Sequence, residues 1–304
     1  MDIRLPKRAV YGNTSIPHTR RMKIILIGAG RIGSAVAFCL ANAGHDVTVV
    51  ARGERLRALQ SERAIVTVSG KRAPVKALPA VDAVTPYELV IVTVPEHQVP
   101  AILPQLSAST AKTILLMFNT FQGIAPYRSI LGVERVAFGF PNMTAFLVNE
   151  RVRFQVNGRG MVTTLSSRDL ADLFKSAGMP SEYEDDMDSF LRSHVALVIP
   201  FFLAALLTRH RTSNLTWREA KLLDYAWTEG FDLVKNLGHP LKPNSLAKLC
   251  NMPSIARRCY LWIFSRSRLV KDLGEFGPTE TRFLIDAMVA AGPAQTKQLG
   301  ALRP

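Results

Sequence analysis

The chain has 304 residues, 48% of them hydrophobic and 20% charged, which supports one large or two ordinary domains and excludes a disordered polymer. Its formal charge of +14 favours anionic partners such as a dinucleotide or an acidic substrate, while the lack of basic runs interleaved with aromatics excludes a specific nucleic-acid platform. Cys39, Cys250 and Cys259 have no C-x-x-C spacing, which excludes a disulfide framework and a zinc site, so no metal is expected and a reducing cytoplasm fits.

The first segment, Met1 to Arg21, is basic, contains Pro6 and Pro17, and lacks the continuous apolar stretch of a signal peptide. A disordered tail or an over-long start is expected, with folding unchanged if it is removed.

From Met22 the pattern alternates β-rich and helical runs. Ile24-Ile25-Leu26-Ile27 reads as a buried strand and runs into Gly28-Ala29-Gly30-Arg31-Ile32-Gly33, after which Ser34 to Ala43 reads as a helix. G-x-G-x-x-G between a strand and a helix is a dinucleotide signature. Gly28 allows the tight turn, Gly30 lets backbone approach a pyrophosphate, and Gly33 lets helix and strand pack closely. The helix start adds N–H donors and a positive dipole end.

The second strand, His45 to Ala51, ends at Arg52-Gly53-Glu54-Arg55. An NAD site usually has an acidic residue there, whereas arginine suits a ribose 2′-phosphate. NADP(H) is therefore the expected cofactor, read by Arg52 with Arg55 as helper. The other reading of these residues is a solvated basic turn.

Leu89–Val94 and Thr113–Phe118 are near-continuous apolar strands, as expected in a parallel sheet covered on both faces. Later β-like runs, Arg135–Phe140, Val152–Val156 and Gly160–Leu165, predict an antiparallel extension, and Ser167–Ala177 a closing helix. After about Glu182 strand signals end. Helices are predicted over Met187–Leu207, Thr216–Leu237, Pro243–Cys250, Ser254–Phe264 and Pro278–Ala291. The apolar stretch Val195–Leu207 is too short for a membrane span and reads as a core helix, so no membrane partner is expected. The fold class is thus α/β: a doubly wound Rossmann domain over residues 22–183, then an all-α domain over residues 184–304.

The order of parts resembles the ketopantoate reductase family. The resemblance rests on Gly28–Gly33, Val50-Ala51-Arg52-Gly53, Val92-Thr93-Val94 with Gln98, Phe118-Asn119-Thr120-Phe121-Gln122-Gly123, Asn236–Pro243, and Gly277-Pro278-Thr279-Glu280. It implies NADPH-dependent reduction of a small 2-oxo acid in a cleft between the two domains, with Val94, Gln98 and Asn119 beside the cofactor. Asn119 and Glu280 match family catalytic positions. A homodimer is compatible with it.

The substrate side departs from the family pattern. Arg192 stands where the resemblance places a general-acid lysine, Ala196 where it places an asparagine, and Pro95 where it places a lysine. Arg268, beside Ser267, stands at the substrate-binding serine position. Arginine does not usefully donate a proton but can stabilise developing oxyanion charge. The expected catalytic set is Arg192, Asn119 and Glu280, with Arg268 and Ser267 binding an anionic substrate. His194, two residues from Arg192, is expected on another helix face as a structural histidine. The acidic run Glu182, Glu184, Asp185, Asp186 and Asp188 reads as a solvated linker leading into a helix N-terminus. A second functional reading stays open: an NADP(H)-binding redox sensor that has lost catalysis.

Overall fold

The computed structural model describes residues 20–82, 84–156, 162–267, 270, 273 and 278–304. Most of the leader and Arg268 lie outside the described residues.

The first half opens with β1 (Lys23–Ile27), α1 (Arg31–Asn42), β2 (Asp46–Val50) and α2 (Gly53–Glu62). Three short strands follow: β3 (Ala64–Val66), β4 (Arg72–Pro74) and β5 (Lys76–Leu78). Then come β6 (Leu89–Val92), a 3-10 turn over Glu96–Ala101, α3 (Leu103–Ala108), β7 (Thr113–Leu116) and α4 (Ala125–Leu131). The half closes with β8 (Val136–Phe140), β9 (Met143–Val148), β10 (Arg151–Val156), β11 (Thr163–Leu165), α5 (Arg168–Ser176) and β12 (Ser181–Tyr183).

The main sheet runs β12-β11-β8-β7-β6-β1-β2-β5. Every pairing from β5 to β8 is parallel, and only β11 meets β8 antiparallel. β1 lies between β2 and β6, so chain order reverses there, and the crevice beyond its carboxyl end is where open α/β sheets bind ligands. Alternate residues of the strands supply two cores. Ile24, Leu26 and Ile91 pack under α1 and α5, while Ile25, Val90 and Val92 pack with Phe118, Tyr127 and Phe138 on the other face.

The expected antiparallel extension is corrected in detail. Val136–Phe140 continues the parallel sheet, and only Thr163–Leu165 runs against it. The run at Val152–Val156 leaves the sheet and pairs with Met143–Val148 in a separate hairpin, its Phe154 ring 5.5 Å from Phe38 of α1. The period-2 pattern named the strands but could not say which edge they would join. The hairpin of β3 and β4 and the edge strand β5 were not anticipated.

The second half begins with α6 (Met187–Thr208) and α7 (Trp217–Asn236). Shorter helices follow over Asn244–Cys250, Ser254–Phe264, Pro278–Ala291 and Lys297–Ala301. α6 is one helix among the described residues long and apolar enough to cross a membrane by composition. In this fold its Val195, Ala196, Ile199 and Leu203 pack with Leu223, Trp227 and Phe231 of α7 in a helical core. Pro200 sits inside α6 without ending it. α7 starts with a capping box in which Thr216 Oγ1 accepts from Glu219 N while the Glu219 carboxylate accepts from Thr216 N.

Phe121, in the segment after β7, is fully buried, and it belongs to the helical core rather than to either sheet core. Truncation at Phe121→Ala should therefore cost about 3–5 kcal/mol in a denaturant titration, the usual scale for a fully buried aromatic.

Candidate functional site

Backbone geometry of the glycine turn comes first. Gly28 has φ +106°, and a Cβ there would lie 2.9 Å from Val94 Cγ1 and 3.0 Å from the Val94 nitrogen. At Gly33 a Cβ would meet the Gly28 carbonyl oxygen at 1.9 Å and Thr93 Oγ1 at 2.5 Å. The Thr93 hydroxyl donates to the same Gly28 oxygen at 2.8 Å, so strand β6 holds the turn from below. Gly30 differs: among the described residues nothing lies within 4 Å of its missing Cβ, and it caps α1 without any side-chain hydrogen bond. An open backbone approach to an uncapped helix start suits a pyrophosphate. Arg31, Ile32 and Gly33 form the first turn of α1.

A cleft of about 630 Å³ extends from this turn. Gly28, Ala29, Gly30, Arg52, Arg55, Val94 and Gln98 of the expected cofactor set line it, joined by His97 and Glu150. Arg52 precedes α2 in extended conformation and is exposed. Arg55 is committed elsewhere: Nε donates to Ala29 O at 3.2 Å, one terminal nitrogen to Ser34 Oγ at 2.9 Å, and the other to Glu150 O at 2.5 Å. Its use as a free phosphate reader is thereby corrected, since most of its donors already hold protein oxygens. The donor set, the open Gly30 and the size of the cleft fit a dinucleotide.

The second constellation lies where the two halves meet. Asn119 Nδ2 donates to Glu280 Oε1 at 2.9 Å, linking the segment after β7 to the first turn of the Pro278–Ala291 helix. Asn119 Oδ1 is buried without a hydrogen-bond partner among the described residues. Burial pushes the Glu280 carboxyl up, against opposing pulls from Asn119, His97 and Arg31. His97 stands near Phe283, ring centres 6.1 Å apart, with Nδ1 buried and without a hydrogen-bond partner among the described residues.

Glu96 was missed by sequence reasoning. It is 3% exposed, its Oε1 accepts from Thr120 Oγ1 at 2.6 Å and Tyr127 OH at 2.7 Å, and burial pushes its carboxyl up. Its only sequence signal was a charge directly after a buried strand.

Arg192 lies across the Asn119 segment. One terminal nitrogen donates to Phe121 O at 2.5 Å, the other to Gln122 O at 2.9 Å, and Nε to Asp188 at 3.3 Å. The guanidinium also sits 5.6 Å from the centre of the Phe121 ring. Asp188 in turn accepts from Ile124 N at 2.9 Å. Gly123, with φ +86°, is required here, since a Cβ would lie 2.4 Å from Arg192 and 2.3 Å from Asp188.

The acidic run leads into a helix N-terminus as expected, with Glu182 and Asp185 exposed, but several of its carboxylates are paired rather than simply solvated. Asp186 caps α6 by accepting from Ser189 N, Asp188 holds Arg192, and Glu184 and Asp185 accept from Lys242 Nζ at 2.5 and 3.1 Å. Ser267 Oγ is buried without a partner among the described residues, and nothing joins it to Asn119 or Glu280. Arg268 lies outside the described residues.

His194 is structural, as its helix position implied. Its ring lies 3.8 Å from Phe140 and stacks on Phe190 at 6.3 Å, and burial pushes it down to about 3. Cys39 is a buried apolar group, its thiol pushed up to about 12.

Residues 24–166 match the model of the ApbA family, described as ketopantoate reductase PanE/ApbA. That segment is similar to the ketopantoate reductase family. A 2-dehydropantoate 2-reductase of Pyrococcus horikoshii is 36% identical over 73 residues, and the match spans 24% of this chain and 24% of that relative. The fold of the whole chain is shared more widely. A PanE/ApbA family ketopantoate reductase from Ralstonia eutropha JMP134 superposes with a TM-score of 0.72 at 22% identity, covering 93% of this chain and 97% of that one. A 2-dehydropantoate 2-reductase from Geobacter metallireducens GS-15 gives 0.69 at 19% identity over 92% and 97%. D-mandelate dehydrogenase in complex with NADH gives 0.66 at 14% identity over 93% and 97%.

Two measurements check this geometry. Gly33→Ala should abolish binding of a dinucleotide or block folding, read by titration and melting. His194 stays neutral in the folded chain down to about 3, whereas the unfolded chain protonates it near 6.5. Its stabilisation is therefore complete above 6.5 and falls as pH drops from 6.5 toward 3. His194→Leu should flatten the acid limb by about 1.4 kcal/mol per pH unit, seen in chemical denaturation between about pH 5 and 7.

Proposed function

We propose that this protein is an NADPH-dependent reductase of a small anionic 2-oxo acid, acting in the cytoplasm, with residues 22–183 binding the cofactor and 184–304 closing over the substrate. The observation that carries the reading is the Asn119–Glu280 hydrogen bond at the mouth of the sheet, with His97 of the glycine-turn cleft and Arg31 of the first turn of α1 acting on the same carboxylate. The family match over residues 24–166 supports it.

A bound nicotinamide supplies the hydride. The chain's own groups do the rest. Backbone at Gly28–Gly30 and the start of α1 receives the pyrophosphate. Arg52 pairs with the ribose 2′-phosphate. The amide of Asn119 orients the nicotinamide ribose or the substrate carbonyl. Glu280, its carboxyl pushed up by burial, accepts from that amide and fixes its orientation. Arg192, bound to the carbonyls of Phe121 and Gln122, acts as a positioning residue that sets where Asn119 stands.

A second reading is favoured by that same engagement of Arg192, which leaves no lysine at the acid position: a protein that binds NADP(H) and senses its redox state without turnover. Steady-state NADPH oxidation with a panel of 2-oxo acids separates the two. The reductase reading expects turnover of at least one of them, and tight NADPH binding with none turned over establishes the sensor instead.

Two substitutions carry the assignment further. Arg52→Asp should reduce the preference for NADPH over NADH by about 1–3 kcal/mol, measured as a ratio of Kd values. Arg192→Ala should lower kcat by about 10²-fold with little change in NADPH affinity, since a misplaced Asn119 costs orientation rather than cofactor binding. Unchanged kcat in that variant would remove Arg192 from the site.

A further inference from the structure

The hairpin of β9 and β10 reaches back to the adenosine end of the cleft. Arg151 pairs with Val148, so the turn has two residues, Asn149 and Glu150. Both are left-handed, at φ +48° and +60°. Two-residue hairpin turns of this kind normally place glycine second, because a side chain there is strained. Here the strained position carries a glutamate, and strain retained in a ligand cleft points to a side chain with a task.

That side chain faces a cation. Glu150 Oε2 lies 3.4 Å from the Arg55 terminal nitrogen that also donates to Glu150 O. The Arg55 side chain is only 12% exposed and that of Glu150 41%. Leu147 and Glu150 line the same cleft as Arg52, Ala51 and Gly30. Of the other charged groups on α2, Glu54 and Arg57 pair with each other at 3.8 Å on the exposed face. The adenosine end of the cleft is thus bounded by Arg52, by Arg55 and by one carboxylate from a distant strand turn.

We propose that Glu150 is a specificity-determining residue that limits the grip of this cleft on a 2′-phosphorylated adenosine, by holding the Arg55 guanidinium in an ion pair and adding a negative charge to the wall it shares with Arg52. The inference rests on the NADP(H) reading of the cleft. A 2′-phosphate entering there meets the Arg52 guanidinium, without an ion-pair partner among the described residues, a second guanidinium already neutralised, and a like charge. A 2′-hydroxyl meets no such penalty. Glu150 accordingly brings the two nicotinamide cofactors closer in affinity than Arg52 alone would leave them.

The test uses the full chain and two probes, adenosine 2′,5′-bisphosphate and adenosine 5′-monophosphate, titrated calorimetrically. Glu150→Gln keeps the side-chain shape and removes the charge. It should tighten the bisphosphate about tenfold, the scale of one nearby charge at a partly exposed site, and leave the monophosphate within about twofold. Glu150→Gly removes the charge and relieves the turn, so it should show the same selective gain even if the glutamine variant folds poorly. Equal gains for both probes, or no gain for the bisphosphate in either variant, overturn the proposal while leaving the cofactor reading intact. A wild-type protein that binds neither probe overturns the cofactor reading, and this inference with it.

Discussion

The segment from Asn119 to Ile124 is gripped from the helical half, and the rest of the site depends on that grip. Arg192 and Asp188, one turn apart on α6, take the Phe121 and Gln122 carbonyls and the Ile124 amide. From the other side Glu96 takes the Thr120 hydroxyl. Asn119 sits at the head of this strap, and its amide reaches Glu280. Charged partners with 14% and 27% side-chain exposure hold this backbone more rigidly than exposed ones would, which suits the orienting role proposed for Asn119. Arginine serves this better than lysine, since its planar fork meets two adjacent carbonyls at once.

The cofactor end is organised differently, by steric exclusion. The space beside Gly28 is filled by Val94 and Thr93 and that beside Gly33 by the Gly28 carbonyl, Thr93 and Leu26, while Gly30 is left open among the described residues. The contrast explains why three glycines with one spacing do different work. Two bring protein against protein, and the third leaves room for what arrives from outside. Arg55 completes the arrangement by tying Ala29 O to Ser34 and the distant hairpin, so the shape of the turn is maintained by side chains as well as by backbone.

Local signals made much of this legible in the sequence. The glycine spacing, the apolar strands around Ile25 and Ile91, and the helix from Ser254 to Phe264 are set by neighbours a few residues away. The second half was read with boundaries within about a turn for the same reason, periodicity being a local property. What escaped reading is long-range. Arg55 meets Glu150 across 95 positions, Arg192 meets Phe121 across 71, and Asn119 meets Glu280 across 161. The resemblance to the ketopantoate reductases supplied Asn119 and Glu280 as candidates, but neither it nor the residue types could say that Arg192 would spend its donors on backbone oxygens. The acidic run misled in part, because charge in sequence looks solvated until the partners, Lys242 and Arg192, are placed beside it.

Phe121 bears on how the chain comes together. Its ring belongs to the core of Trp227, Val195 and Leu203, yet its backbone belongs to the connection leaving the central sheet. The sheet half cannot complete its last ligand-facing segment before the helices exist to receive that ring, and the helices keep a gap until it arrives. Assembly of the two halves is therefore one cooperative event rather than the docking of two finished bodies. A single thermal transition is the natural behaviour of such a chain. Expressed alone, the sheet half would carry an unhoused aromatic at its working edge, so dividing this protein at the apparent boundary would turn the middle of its site into an adhesive patch.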